Sequence, residues 1–115
     1  MEIYVKDGKL RSAIEDKSIS QKLYGADMTK KLNLRLASLR AAESLADFWP
    51  PKSGPERCHE LKGNQLGVFS VDVKQPYRLL FKPYEPSPAI DRSDEFQRWR
   101  SITKIELLTI EDTHE

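Results

Sequence analysis

The chain has 115 residues, 38% apolar and 32% charged, with a formal net charge of +1. That length suits one domain with a single modest core, and no apolar run is long enough for a membrane span. One cysteine excludes an internal disulfide, and Met1 leads into Glu2-Ile3-Tyr4-Val5 without the layout of a secretion signal, so a cytoplasmic protein is expected.

The first fifty residues carry nine Lys/Arg against seven Asp/Glu, the next fifty repeat that ratio, and the last fifteen hold one base against four acids. Bulk charge therefore does not announce a nucleic acid, and any such binding must rest on a local patch.

In chain order, residues 2–5 alternate and predict a short strand. Leu10 and Ile14, four apart, share one face of a short helix ending near Glu15. Ser18-Ile19-Ser20-Gln21 has capping-box spacing, which predicts a second short helix starting at Ser18 and ending at Gly25. A longer helix is expected over 27–44. Met28, Leu32, Leu36 and Leu39 form its apolar stripe, widened by Leu34, Ala37 and Ala41. Trp49-Pro50-Pro51 stops helical structure.

The second half reads as strand. Phe69, Val71 and Val73 alternate with Val68, Ser70 and Asp72; Lys74-Gln75-Pro76 is a compact turn; Tyr77 to Lys82 returns. Tyr77, Leu79 and Phe81 share one face, and Arg78, Leu80 and Lys82 the other. Pro83, Pro86 and Pro88 open a polar connection to about Arg100, with a short helix expected near Asp94–Trp99. Ile102 to Ile110 is the last strand. Its apolar residues occupy both parities, as in an interior strand partly covered on both faces. The expected class is α+β, N-terminal helices on one face of a small, mainly antiparallel sheet, in a single domain over 1–115.

His59 and His114 are the only side chains whose ordinary pKa lies near neutrality. RNA cleavage by the neighbouring 2′-hydroxyl needs a base, an acid and cations to offset phosphorane charge. His59, His114, Lys62 and Arg78 can supply these roles, with Asp112 orienting a histidine or sharing in proton transfer. The bland readings stand beside this one: structural histidines, a solvated turn lysine before Gly63, and a strand arginine paired with a carboxylate rather than a phosphate. No CxxC, HxxxH or HExxH spacing occurs, so no metal or other cofactor is expected. Cys58 makes a poor nucleophile, because its neighbour His59 is badly placed to act as its base, and a packing role is expected.

Cys58-His59-Glu60-Leu61-Lys62-Gly63, then Gly67 before an alternating strand, then Pro76-Tyr77-Arg78-Leu79-Leu80-Phe81, then Asp112-Thr113-His114, resembles the HigB branch of the RelE/ParE toxin superfamily. These are the "plasmid maintenance system killer" proteins of type II toxin–antitoxin pairs. The resemblance spans the chain but is carried mainly by 57–82 and 103–114. It implies a small α+β endoribonuclease that enters the ribosomal A site and cleaves mRNA there. It implies neutralisation by a HigA-like helix-turn-helix antitoxin, and operator DNA bound only through the antitoxin complex. His59, Lys62, Arg78, Asp112 and His114 match the active-site positions of such toxins. Lys62, Arg78, Lys82 and Thr113 are expected against RNA.

This chain departs from that pattern in three ways. Thr113 stands where an aromatic is common, which implies an altered base preference. The connection after Pro83 is longer, and the net charge is unusually small. Two other classes stay open: a ParE-like poison of a protein target, and a catalytically silent partner and co-repressor.

Overall fold

The computed structural model describes residues 1–85 and 92–112. Pro86 and Pro88, and at the other end Thr113 and His114, lie outside the described residues. The chain opens with a strand, β1 (Glu2–Val5), followed by three helices, α1 (Gly8–Glu15), α2 (Lys17–Tyr24) and α3 (Ala26–Ala41). A 3₁₀ turn (Leu45–Phe48) leads to a two-residue strand, β2 (His59–Glu60), and a second 3₁₀ turn (Gly63–Gln65). The hairpin β3 (Phe69–Lys74) and β4 (Tyr77–Pro83), the helix α4 (Glu95–Ser101) and β5 (Lys104–Asp112) complete it.

Three of the described helices, α1, α2 and α4, begin where an aspartate (Asp7, Asp16, Asp94) accepts from a first-turn amide. Asp16, rather than Ser18, caps α2, accepting from the amides of Ser18 and Ile19. A carboxylate one position before the helix takes both orphan donors, so the helix starts earlier than the capping-box spacing predicts, with Ser18 inside its first turn. Gly25, at φ 87°, ends α2 and begins α3, a one-residue bend that needs positive φ.

The α3 helix stops at Ala41, short of the expected Ser44. The backbone turns extended at Ala42, and Ser44 instead caps the 3₁₀ turn through the Ala46 amide. The α-ammonium of Met1 donates to the carbonyls of Leu39, Arg40 and Ala42, placing positive charge at the C-terminal end of α3.

The predicted stripe of Met28, Leu32, Leu36 and Leu39 is buried, but Leu34, Ala37 and Ala41 face solvent. One narrow stripe suffices to cover the sheet, so the wider apolar face expected from sequence is not used. Leu34 is left 54% exposed.

The sheet order is β1-β5-β4-β3-β2. Among the described residues, the β1–β5 pair is parallel and the β2–β3, β3–β4 and β4–β5 pairs are antiparallel. The last strand is interior, as its apolar composition implied. Its apolar residues on both parities have a further cause: the register shifts between Leu80 and Phe81. That shift puts Leu107 opposite Phe81 and Ile110 opposite Leu79, on one face.

All four helices feed one core on that face. It joins Leu10, Leu32, Leu36, Phe69, Val71, Leu79, Phe81, Trp99 and Leu107, with Tyr24 packed against it. Trp99 of α4 meets the Phe69 ring edge-on at 5.7 Å. No described helix is long and apolar enough to cross a membrane.

Candidate functional site

The opposite sheet face is polar, and register assigns its members. His59 pairs with Ser70, Ser70 with Leu80, and Leu80 with Thr109. Two residues along, Asp72 pairs with Arg78 and Arg78 with Glu111. Directly opposed residues share a face, so His59, Ser70, Asp72, Arg78 and Glu111 lie together. Strand spacing puts the Cα atoms of His59 and Arg78 roughly 12 Å apart, a span that a phosphate and two side chains can bridge.

His59 is buried, and its Nδ1 lies 2.9 Å from the carbonyl of Arg57. A carbonyl can only accept, so Nδ1 carries the proton and donates. In the neutral ring Nε2 is then the basic nitrogen. The backbone thus sets both tautomer and ring orientation, as general acid–base work requires.

Lys62 is exposed and extended, just ahead of the turn at Gly63, whose φ of 67° suits glycine. His59 and Lys62 line one cleft of about 470 Å³ with Pro51, Lys52, Glu60 and Glu95. Arg78 does not line that cleft.

Arg78 is buried, its Nε 3.3 Å from Asp72 Oδ1. These two atoms make an ion pair without hydrogen-bond geometry. Asp72 Oδ2 receives a hydrogen bond from Gln75 at 3.0 Å and lies 3.4 Å from Arg57 Nε. The carboxylate reading of the strand arginine is therefore realised. In the sequence Asp72 is only an alternating strand position. What identifies it is the hairpin register: Lys74 pairs with Tyr77, and a shift between Asp72 and Lys74 sets Asp72 opposite Arg78.

Lys82 is exposed and shares the face of Arg78, four residues along β4. Asp112 ends β5 opposite Tyr77, so pleat alternation gives the Arg78 face to Glu111 rather than Asp112. Nothing in the order of residues singles out Glu111, because only the register of β5 places it on this face. Thr113 and His114 follow Asp112 and are outside the described residues.

Glu60, the neighbour of His59, points to the core face. It accepts hydrogen bonds from Arg98, Arg92 and the Gly67 amide, each at 2.9 Å. Burial alone raises its pKa, but the Arg98, Arg92 and Gly67 hydrogen bonds outweigh that and hold it below the ordinary carboxylate range. Cys58 is fully buried in the core. Burial, with a smaller effect from Glu56, pushes its thiol up to about 12, so it packs and carries no thiolate near neutrality. Among the described residues, no group of three or more His, Cys, Asp or Glu is placed to hold a metal ion.

No family model and no curated protein sequence matches the chain. Solved structures do. A YoeB/ParE toxin from Agrobacterium tumefaciens aligns at TM-score 0.56 and 13% identity, covering 99% of this chain and 100% of that one. The YoeB dimer from Staphylococcus aureus aligns at 0.53 and 16%, and the YoeB-YefM complex from the same organism at 0.53 and 17%. Each of these two covers 100% of this chain and 98% of the other. The chain therefore has the α+β fold of YoeB/ParE toxins, over its full length.

Proposed function

We propose that this chain is the toxin of a type II toxin–antitoxin pair, a HigB-like endoribonuclease that cleaves mRNA in the ribosomal A site and arrests translation. The observation that carries the reading is His59, on a polar sheet face of a YoeB/ParE-like fold, with its Nδ1–H donating to the Arg57 carbonyl so that the ring tautomer is set by the backbone. In this reading His59 and His114 transfer protons at the 2′-hydroxyl and the leaving 5′-oxygen. Lys62 and Arg78 offset charge on the phosphorane. Asp112 leads the chain into Thr113 and His114 and orients that end of the site. Lys82 and Thr113 contact flanking RNA.

The YoeB-YefM complex among the similar structures supports a protein partner. We assign that role to a HigA-like helix-turn-helix antitoxin, through which alone the toxin reaches operator DNA. A cytoplasmic site of action follows from this reading. A second reading, a non-enzymatic toxin or silent co-repressor bound to its antitoxin, draws support from the buried Arg78–Asp72 pair, since Arg78 is already occupied by a carboxylate.

Tightly controlled expression, with and without the neighbouring gene, separates the readings when mRNA 5′ ends are mapped during growth arrest. The expected result is arrest with codon-phased new ends, lost in His59→Ala and His114→Ala. Removing one general acid or base lowers the cleavage rate by about 10²–10⁴-fold. Arrest without new mRNA ends overturns the endonuclease in favour of a non-enzymatic toxin, and absence of arrest favours the silent module.

A further inference from the structure

The segment ahead of β2 carries a residue that no motif singles out. Arg57 lies two positions before His59, at φ 48°, in a left-handed conformation that side chains other than glycine rarely adopt. Its carbonyl accepts the His59 Nδ1–H. Its Nε meets Asp72 Oδ2 at 3.4 Å, while Arg78 Nε meets Oδ1 of the same carboxylate at 3.3 Å. One carboxylate thus stands between two guanidiniums, and each comes nearest to it through its inner nitrogen.

Nε–H is one of five donors on a guanidinium, and the fork that grips phosphate is built largely from the terminal nitrogens. The Arg57 side chain is 48% exposed, against 10% for Arg78, so Arg57 is the more accessible of the two. Arg78 also faces Glu111 across the sheet, a second carboxylate on its side of the pair. Gln75 donates to Asp72 at 3.0 Å from the hairpin turn, so the carboxylate keeps a partner when a guanidinium turns toward an incoming anion.

Resting on the ribonuclease reading above, we propose that Arg57 is a second phosphate-binding residue of this face. Its guanidinium acts with that of Arg78, across Asp72, on the phosphate next to His59. The same residue fixes the tautomer of His59 through its carbonyl. A phosphate held by its side chain is therefore tied in position to the working nitrogen of the histidine. Side chain and backbone of one residue then serve binding and proton transfer together.

The test uses the full chain and a short single-stranded 2′-O-methyl oligoribonucleotide, which cannot be cleaved through a 2′-oxygen. Its affinity is measured as a function of salt. Arg57→Asn keeps the turn, because asparagine tolerates positive φ, and keeps the carbonyl for His59; a thermal melt and the His59 ring signals by NMR verify both. Arg57→Lys keeps the charge without the fork.

The expected result for Arg57→Asn is a salt slope shallower by about 0.7, one phosphate contact on a single strand, with roughly tenfold weaker binding near 0.1 M salt. Arg57→Lys keeps the wild-type slope and loses only part of the affinity. A wild-type slope and affinity in a folded Arg57→Asn, with binding lost in Arg78→Gln, overturns the role of Arg57 and leaves the ribonuclease reading standing. A wild-type chain that neither binds the oligonucleotide nor produces new mRNA ends in cells overturns the ribonuclease reading itself, and this proposal with it.

Discussion

Two arginine–carboxylate pairs flank His59, one on each face of the sheet, and they are built differently. On the core face, Glu60 accepts from Arg98, Arg92 and the Gly67 amide at 2.9 Å each. On the polar face, Asp72 meets Arg78 and Arg57 at 3.3 and 3.4 Å through Nε, and its Oδ1 lacks hydrogen-bond geometry. The first carboxylate is saturated, so it staples α4 to the strand that carries His59. The second is held loosely enough to trade a partner. A buried polar network adds rigidity when every member is satisfied. The difference separates a structural pair from one suited to an incoming anion.

Breaking the first pair is expected to cost most. Arg98→Met leaves the Glu60 carboxylate short of one of its two guanidiniums, for a loss of about 3 kcal/mol in urea denaturation. Asp72→Asn is expected to cost less, about 1 kcal/mol, since its buried contact with Arg78 at 3.3 Å lacks the hydrogen-bond geometry that Glu60 has with Arg98. Equal losses in the two variants would erase the distinction between the pairs.

A pH series sharpens the comparison. The folded pKa of Glu60 lies below its unfolded value, so the unfolded state takes up the proton first as pH falls. Its contribution is fully present above the ordinary carboxylate value of about 4.3 and is lost as pH drops through the folded pKa. Glu60→Gln is expected to remove this part of the acid sensitivity, and an unchanged stability profile would show that Glu60 is not the group titrating.

A smaller effect is expected from Glu111→Gln. It removes a carboxylate opposite Arg78 and should tighten oligonucleotide binding about twofold to threefold at low salt. Weaker binding would mean that Glu111 supports the cation rather than competes for it. The smallest effect concerns Cys58, on the core side of the chain next to His59. Its thiol, pushed up to about 12, should resist iodoacetamide at neutral pH in the native state and react only on unfolding. Rapid labelling of folded protein would contradict its buried position.

Much of this was legible in the sequence because periodicity reports burial directly. The stripe from Met28 to Leu39, the alternation of Phe69, Val71 and Val73, and the short turn before Tyr77 each follow from local geometry. Helix ends were less legible. Asp16 and Ser18 are both good caps, and which is used depends on where α1 stops. The apolar pattern overstates the width of the α3 stripe, because Leu34 is apolar whether or not a surface exists to cover it.

By itself, the sequence determined the α+β order of elements, the face on which Leu79 and Phe81 lie, and a small inventory of chemistry-bearing side chains. Tertiary structure alone decided which of those side chains meet. Register is a tertiary property: a shift between Asp72 and Lys74 sets Asp72 against Arg78, and one between Leu80 and Phe81 puts Glu111 rather than Asp112 on the Arg78 face. The tautomer of His59 and the place of Arg57 likewise depend on a backbone carbonyl and a left-handed turn, which the order of residue types does not encode.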